Sequence, residues 1–400
     1  MAPCGIGLGH ITRMYPIAKE LNRRGICTVF STYLDGLAYA RQYSLPTFEA
    51  TPIKFRVTNE GRIDFKLTAA TSGFSLGIRT FLRQLVRELR FMQLFRPDIV
   101  FSDSRASSLL AARLLRLPVV LMLNQFRIEI IRRPSQKRIS MLDKLFFVIA
   151  NIGWLFIRTS IEIVWARSEN ILIPDLPNPH TISLGNLAIP KRYNGKMKLI
   201  GPIVVNQRSK NSNVNQLRQE LRLTLNKNIV YAAISGPRVE REVLSQMLLK
   251  SLRPVARKYQ VILSRGKPEG SPRSRSVAGL LVFDWISNQD DYIKASDIIV
   301  SRAGHGTIMK SLVYGVPMIL IPIPDHPEQY SNARRAESLG VAKVIDQNKI
   351  NSKTLDSAIA YLLAKRRYRE NAKKIQKSVS SLNAVETACD LIEHLAAARI

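Results

Sequence analysis

The sequence predicts an α/β protein built from two doubly wound domains with parallel sheets. Short apolar, β-branched runs alternate with amphipathic helical runs, and this alternation occurs twice along the chain. The chain has 400 residues, which exceeds the length at which a single core usually stops growing. Two cores of the same α/β kind are therefore expected.

Each half of the chain supplies its own strands and helices. In the first half the strand candidates are "ICTVF", "DIVFS" and "VVLML", and "ITRMYPIAKELNRRG" is a helix that Gly25 ends. In the second half the strand candidates are "NIVYAAIS", "YQVILS", "LLVFDW", "DIIVS" and "VPMILIPI". The runs "REVLSQMLLKSL", "TIMKSLVYG" and "PEQYSNARRAESLG" between them are predicted helices.

Proline and glycine interrupt the pattern at Ile189–Pro202, so we predict the domain boundary there. The predicted domains are 1–190 and 200–365, followed by helices over 366–400 that pack back toward the first domain. Before the first glycine turn only Met1–Cys4 are available for a strand, which is shorter than usual.

The charge balance is strongly basic. Sixty Lys and Arg residues against 30 Asp and Glu give a net charge of +30, which predicts an anionic partner. Zinc-finger spacing, an RNP-like aromatic motif and a lysine-rich tail are all missing, so we do not expect nucleic acid. The three cysteines are scattered and histidines are few. We therefore expect a reducing cytoplasm and no metal site.

A basic region leads into an apolar one in the first half. The interval 79–144 holds 14 Lys and Arg against 5 Asp and Glu, and the 13 residues Leu145–Ile157 carry no charge. That stretch is too short to cross a bilayer, and the opening "MAPCGIGLGH" does not have the pattern of a secretory signal. Two interpretations stay open: an interfacial helix on anionic lipid, or a buried core helix.

A glycine turn with a histidine opens the chain. "GIGLGH" places Gly5, Gly7 and Gly9 before a helix, where backbone amides favour an anion. His10 at the mouth of this turn is suited to proton transfer. The alternative is a tight turn with no ligand.

A carboxylate ends the buried strand "DIVFSD". Parallel sheets present functional groups at this end, so Asp103 is a candidate to orient His10 and stabilise its charged form. The alternative is that Asp103 caps a helix starting near Ser104.

Two polar loops flank the strand "VPMILIPI". In "SRAGHG" the backbone at Gly304 and Gly306 permits close approach, while Thr307 and Arg302 offer donors for phosphate oxygens. The loop "PDHPEQ" brings Asp325, Glu328 and Gln329, whose carboxylate and amide groups bind sugar hydroxyls. Phosphate binding at one loop and hydroxyl binding at the next predict a nucleotide-sugar ligand.

The chain resembles a known family at these residues. "SRAGHGTIMKSLVYGVP" and "PDHPEQYSNARRAESLG" are similar to the C-terminal signature of GT-B glycosyltransferases, in particular family 28, which includes MurG, and more distantly the UDP-glycosyltransferases. "GIGLGHITR" is similar to the family's N-terminal glycine loop. The resemblance implies two Rossmann-like domains facing a cleft, a UDP-sugar donor, a lipid-linked acceptor, and metal-independent transfer with inversion.

The resemblance also assigns site residues. It implies His10 as the general base with Asp103 as its partner, Gly5, Gly7 and Gly9 as an acceptor or phosphate loop, and base packing by Trp285 and Ile286. Together with the polar loops, it predicts a donor site of Ser235, Gly236, Trp285, Ile286, Arg302, Gly304, His305, Gly306, Thr307, Lys310, Asp325, Glu328 and Gln329.

One position departs from the family pattern. Where the family carries a glutamate that binds the ribose hydroxyls, this chain has Lys310. An ammonium group cannot accept hydrogen bonds. We therefore expect ribose to be held differently, with Lys310 extending toward the cleft.

The expected function is that of a cytoplasmic glycosyltransferase bound peripherally to the inner face of the cell membrane. It would need no cofactor, since the nucleotide-sugar is a substrate. Two alternatives stay open: a UDP-sugar 2-epimerase of the same fold, and a non-catalytic basic binding protein that retains the fold.

Overall fold

A computed structural model of the chain describes residues 1–52, 65–126, 158–187, 195–204 and 213–398, together with 141, 148, 155 and 193. Two separate parallel sheets form its framework, one in each half of the chain. The predicted fold class is confirmed.

The N-terminal sheet has the strand order β1-β4-β5-β6-β7, and all of these pairs are parallel. A parallel β2–β3 pair continues this sheet beside β1, because the Ser31 amide donates to the Met1 carbonyl at 2.8 Å. The strands are β1 Ala2–Pro3, β2 Phe30–Thr32, β3 Thr47–Glu49, β4 Val100–Asp103, β5 Val119–Met122, β6 Asn170–Ile173 and β7 Met197–Leu199.

The C-terminal sheet has the order β10-β11-β9-β8-β12-β13-β14. Its pairs are parallel except β10–β11, which is antiparallel at the edge. The strands are β8 Ile229–Ala233, β9 Gln260–Ser264, β10 Arg275–Val277, β11 Leu280–Phe283, β12 Ile298–Ser301, β13 Met318–Leu320 and β14 Ala342–Val344.

Helices cover both faces of each sheet, as a doubly wound fold requires. They are α1 Gly9–Arg23, α2 Leu34–Gln42, α3 Phe65–Phe95, α4 Ala106–Leu114, α5 Val214–Glu220, α6 Arg238–Leu252, α7 Gln289–Ala295, α8 His305–Val313, α9 Pro327–Ser338, α10 Ser352–Ala364, α11 Arg367–Val379 and α12 Ala384–Ala397. Within the described ranges, no helix is both long enough and apolar enough to span a membrane.

The strands with long apolar runs match the prediction, whereas short edge strands escaped it. The run "ICTVF" becomes a strand only at its last residue, since β2 begins at Phe30. β7 lies inside the predicted boundary Ile189–Pro202 and pairs with β6, so this stretch holds the last strand of the N-terminal sheet. Three-residue strands give too few alternations for a periodic signal.

The predicted apolar segment Leu145–Ile157 lies outside the described residues, apart from Val148 and Leu155. Both of these are helical and exposed.

The last helix returns to the first domain. On α12, the buried Cys389 thiol lies 3.6 Å from the Ile17 carbonyl of α1. Arg24, after α1, pairs with Asp390 at 2.6 Å and with Glu393 at 2.9 Å. The buried apolar side chains of α1 and α12 belong to one core.

Candidate active site

The carboxyl ends of the central strands in both sheets meet at the domain interface. In the N-terminal sheet Pro3 pairs with Asp103, so the loops after β1 and β4 emerge side by side. In the C-terminal sheet Ser301 pairs with Ala233, which brings the loops after β8 and β12 together. A doubly wound fold binds ligands at this position.

The three glycines of the first loop are required to different degrees and for different structural reasons. A Cβ at Gly5 would lie 2.0 Å from the Tyr33 carbonyl oxygen, so close packing requires this glycine. Gly7 has φ +71°, which favours glycine, and its amide donates to Asp35 at 3.0 Å. A Cβ at Gly9 would meet open space. Only part of this loop is therefore available to a ligand.

His10 and Asp103 lie within hydrogen-bonding distance. His10 Nδ1 is 2.8 Å from Asp103 Oδ1, and 25% of the His10 side chain is exposed while Asp103 is fully buried. The helix after β4 begins at Ala106 with Arg105 at its N-cap and no side-chain cap. Asp103 is therefore not a helix cap.

Arg13, which sequence reasoning missed, completes this cluster. Its Nε donates to Asp103 Oδ2 at 2.5 Å and its Nη2 donates to Oδ1. Burial alone would raise the pKa of Asp103, but the interactions of this carboxylate with Arg13 and His10 outweigh burial and hold its pKa well below the usual range. The available signal was spacing, because a residue three after His10 shares its helix face.

The C-terminal loops face the first loop across the interface. α8 begins at His305, two residues earlier than predicted, with Gly304 at its N-cap. A Cβ at Gly304 would lie 3.9 Å from Ser235 Oγ, and one at Gly7 would lie 3.6 Å from the Gly236 carbonyl carbon. The glycine loops of the two domains therefore abut, while a Cβ at Gly306 would meet open space.

His305 forms a second histidine–aspartate pair with the other domain. Its Nε2 lies 3.2 Å from Oδ2 of Asp175, which follows β6, and both side chains are buried. Asp175 also accepts from the amides of Ile182 and Ser183 at 3.1 and 2.8 Å. Burial would raise the pKa of Asp175, but His305 and the hydrogen bonds from Ser183 outweigh it and lower it. His305 is thus held by a carboxylate of the other domain, and its contact with the donor stays a prediction.

Arg302 does not present the open fork expected from the sequence. It is 1% exposed, and its Nη1 donates to the carbonyls of Ile321 and Pro322 at 3.3 and 3.4 Å. Burial lowers its pKa to about 10, opposed by the charge of Glu240. Arg302 directly follows the buried strand β12, which has a paired strand on each side.

Trp285 also differs from expectation. Its Nε1 donates to the Tyr43 hydroxyl of the other domain at 3.2 Å, and its ring meets Tyr39 edge-on at 5.9 Å. Ile286 is buried in the core of the C-terminal domain. Aromatic rings of the N-terminal domain thus contact Trp285, and base packing by Trp285 and Ile286 stays a prediction.

Lys310 is paired rather than free. Its Nζ lies 2.9 Å from Oδ1 of Asp290 on α7, and both side chains are largely buried. The extension of Lys310 toward the cleft therefore stays a prediction, and in this structure the neighbouring helix supplies a carboxylate to its ammonium group.

The second polar loop is held from both domains. Glu328 accepts from the Asn124 amide at 2.8 Å across the interface, and Gln329 accepts from the Ile323 amide at 3.0 Å. Asp325, just before α9, is exposed, and its backbone has a φ of +59°. Thr307, on the first turn of α8, is partly exposed.

A buried ion pair joins the two domains beside the glycine loops. Arg241 on α6 lies 2.6 Å from Asp35 on α2, whose other carboxylate oxygen accepts from Gly7. Burial raises the pKa of Asp35, opposed by the charge of Arg241. Among the described residues, no group of His, Cys, Asp and Glu has the arrangement of a metal site.

Comparisons with known proteins agree with this architecture. The glycosyltransferase family 28 C-terminal domain matches residues 238–388. An uncharacterized glycosyltransferase of Methanosarcina acetivorans is 27% identical over 98% of this chain and 96% of its own. A UDP-N-acetylglucosamine--N-acetylmuramyl-(pentapeptide) pyrophosphoryl-undecaprenol N-acetylglucosamine transferase of Lactobacillus delbrueckii subsp. bulgaricus is 28% identical over 44% of this chain and 50% of its own.

Solved structures share the fold over the whole chain. MurG of Acinetobacter baumannii has a TM-score of 0.56 at 16% identity, covering 98% of this chain and 99% of that one. The spinosyn forosaminyltransferase SpnP has a TM-score of 0.64 at 16% identity, covering 99% and 98%. The chain therefore has the fold of the GT-B glycosyltransferases. More particularly, its residues 238–388 match the family 28 C-terminal domain.

Proposed function

We propose that this protein transfers a sugar, with inversion and without a metal ion, from a nucleoside-diphosphate donor such as a UDP-sugar to a lipid or lipid-linked acceptor. The observation that carries the proposal is the His10–Asp103 pair near the glycine loops of the two domains, in which His10 is partly exposed and Asp103 is buried. His10 is the general base in this proposal and Asp103 is its partner.

The proton transfer follows from the hydrogen bond. An ionised Asp103 accepts a hydrogen bond from Nδ1–H of His10, which leaves the lone pair of Nε2 for the acceptor hydroxyl. Nε2 takes the hydroxyl proton as the acceptor oxygen attacks the anomeric carbon. The bond from that carbon to the diphosphate breaks, and the diphosphate leaves with its electron pair.

The leaving diphosphate needs positive charge that no metal supplies in this scheme. The N-terminus of α8 supplies backbone amides and the positive end of the helix dipole at His305–Thr307. The partly exposed Ser235 and Thr307 add hydroxyl donors. Arg302 contributes charge from a buried position rather than a direct contact.

A basic apolar face on α3 supports a membrane-bound acceptor. Exposed apolar side chains recur every four residues along one side of the helix, and exposed arginines alternate with them. Together they suit the surface of an anionic bilayer, where apolar groups insert and cations meet headgroups. This α3 ridge comprises Ile78, Leu82 and Val86 with Arg79, Arg83 and Arg90.

The donor is tested by screening nucleotide-sugars in thermal shift. A ligand at 100 times its dissociation constant stabilises the fold by about 2.7 kcal/mol. Product analysis with the stabilising donor, in EDTA, then follows with and without a lipid-linked acceptor. Glycosylated lipid of inverted anomeric configuration is expected. An epimerised donor formed without acceptor would favour the epimerase, and binding with no product at all would favour a non-catalytic protein.

The membrane contact is tested with vesicles containing anionic lipid. Wild-type protein should bind at low salt and release as salt rises, because surface charge is screened over about 8 Å at physiological ionic strength. Replacing Leu82 and Val86 by serine should weaken the salt-resistant part. Leu225→Ser is the control, since Leu225 lies in the other domain and is 48% exposed against 49% for Leu82. Equal loss in both variants contradicts the α3 ridge.

A further inference from the structure

Arg13 grips the carboxylate that holds His10. Its Nε donates to Asp103 Oδ2 at 2.5 Å, and its Nη2 donates to Asp103 Oδ1. Such a fork is planar and always charged, so it fixes both the position and the plane of the carboxylate. The Ser104 hydroxyl donates to Asp103 Oδ1 at 3.1 Å. Arg13, Ser104 and His10 therefore all hold this carboxylate.

The contacts select one tautomer of His10. His10 Nδ1 lies 2.8 Å from Asp103 Oδ1 and 3.3 Å from Arg13 Nη2. An ionised carboxylate oxygen only accepts and a guanidinium nitrogen only donates. The shorter contact therefore requires a proton on Nδ1, since two lone pairs would otherwise face each other at 2.8 Å. The lone pair is then on Nε2.

The charges of this cluster matter because Asp103 is fully buried. A buried carboxylate must be compensated by a positive charge nearby. Arg13 supplies that charge permanently, so His10 need not become an imidazolium to supply it. Cys4 also lies near Asp103 and Arg105, and burial raises the pKa of the Cys4 thiol, which keeps it neutral. Arg105 is itself paired with Glu88.

We propose that Arg13 is a positioning residue for sugar transfer: by holding Asp103 ionised and compensating its charge, it keeps His10 neutral with the proton on Nδ1 and Nε2 open. The inference rests on the proposed role of His10 as base. Arg13 touches neither donor nor acceptor in this scheme. Its effect reaches the reaction through Asp103 and His10.

The test compares Arg13→Met, which keeps length and loses charge, with Arg13→Lys, which keeps charge and loses the fork. Nitrogen-detected NMR of the imidazole nitrogens reads the tautomer and charge of His10 in ligand-free protein, with the signal assigned by His10→Gln. Wild type should show the neutral Nδ1–H form at neutral pH. Arg13→Met should shift His10 toward the imidazolium at the same pH, and Arg13→Lys should largely restore the neutral form.

Turnover is measured on the same variants. Arg13→Met should lower kcat by about 10- to 100-fold with donor KM nearly unchanged, as expected when a base is partly lost. Arg13→Lys should recover part of that loss. Arg23→Met is the matched control, because Arg23 lies on the same helix, is exposed and pairs with Glu20 three residues earlier. It should match wild type in both measurements.

The outcomes separate this inference from the proposed function. A neutral His10 and unchanged kcat in Arg13→Met, with His10→Gln inactive, would overturn the role of Arg13 and leave the base in place. Full activity in His10→Gln would overturn the base, while the NMR spectra would still report whether Arg13 sets the imidazole state. If Arg13→Met does not fold, Arg13→Lys decides the question. A neutral His10 with reduced kcat in Arg13→Lys supports the positioning role of Arg13. Wild-type kcat in that variant, which lacks the guanidinium fork, contradicts it.

Discussion

Two histidine–aspartate pairs lie at the domain interface, and they differ in access to solvent. His10 and Asp103 belong to one domain, and a quarter of the His10 side chain is exposed. His305 and Asp175 come from different domains, and 4% of the His305 side chain is exposed. Both histidines follow a glycine turn and both carboxylates are fully buried.

The difference teaches that chemistry requires an open nitrogen as well as the right partner. The ring of His10 retains an exposed edge, so a substrate hydroxyl has access to it. The ring of His305 is enclosed and its Nε2 already faces a carboxylate, so it has no proton transfer to offer and instead ties α8 to the loop after β6. We interpret the first pair as catalytic and the second as structural.

The largest expected effect is on turnover through the open pair. Asp103→Asn should lower kcat by on the order of 10²–10⁴-fold with nearly unchanged donor affinity, because the amide no longer fixes the Nδ1–H tautomer. Steady-state kinetics and donor titration calorimetry measure the two quantities. Asp175→Asn is the matched substitution in the closed pair. If it reduced kcat as strongly at unchanged donor affinity, the distinction between the pairs would fail.

The next effect is on stability through the closed pair. Asp175→Ala removes the buried carboxylate that faces His305 and leaves several amides unsatisfied, so the free energy of unfolding should fall by about 3–5 kcal/mol. Because the pKa of Asp175 is lowered in the folded state, its contribution exists above the unfolded value near 4 and is lost as pH falls. Urea unfolding at several pH values measures this. Wild type should lose stability below about pH 4 more steeply than the variant; parallel curves would contradict the account.

A third pair, Lys310 with Asp290, extends the comparison to the second domain alone. Lys310→Met should cost about 3 kcal/mol, because it leaves the buried Asp290 carboxylate without its partner. Adding Asp290→Asn should recover most of that loss. Lys310→Glu should be worse than Lys310→Met, since two carboxylates would then meet. A stable Lys310→Glu protein with new ribose selectivity would show that Lys310 belongs to the donor site instead.

The smallest effect concerns a buried carboxyl with no histidine. Glu240 on α6 is 2% exposed, and its Oε2 has no hydrogen-bond partner among the described residues. Burial raises its pKa to about 7, opposed by the charge of Arg302. The folded state therefore holds this proton up to about pH 7, and stability falls as pH rises from the unfolded value.

Glu240→Gln should remove this pH dependence. Relative to wild type, the variant should gain about 2 kcal/mol between pH 5 and pH 7, at 1.36 kcal/mol per pKa unit. Denaturant curves at the two values measure the gain. If the difference in free energy of unfolding between the two proteins is the same at both pH values, the Glu240 carboxylate is better compensated than its contacts indicate.

The sequence was sufficient where strands and their ends decide position. His10 and Asp103 could be paired in advance because they follow two strands that turn out to be parallel neighbours, with Pro3 opposite Asp103. The long apolar runs also predicted the central strands, because such strands are buried on both faces. Short edge strands such as β7 offered no comparable pattern.

The rest could not be predicted because the deciding partner lies in the other domain or on another helix. Nothing near His305 in the chain indicates that Asp175 encloses it, or that Tyr43 occupies the contact with Trp285. Lys310 departs from the family pattern, yet its meaning depends on Asp290. Such contacts follow from tertiary packing, which local patterns do not encode.

The most direct test of the central claim measures kcat and donor dissociation constant for His10→Gln and His305→Gln in parallel. The account predicts opposite patterns. His10→Gln should lose on the order of 10²–10⁴-fold in kcat and bind donor like wild type, whereas His305→Gln should bind donor more weakly and unfold more easily while turning over donor once it is saturated. Wild-type kcat in His10→Gln would contradict the account. So would a stably folded His305→Gln that loses kcat at saturating donor while His10→Gln does not.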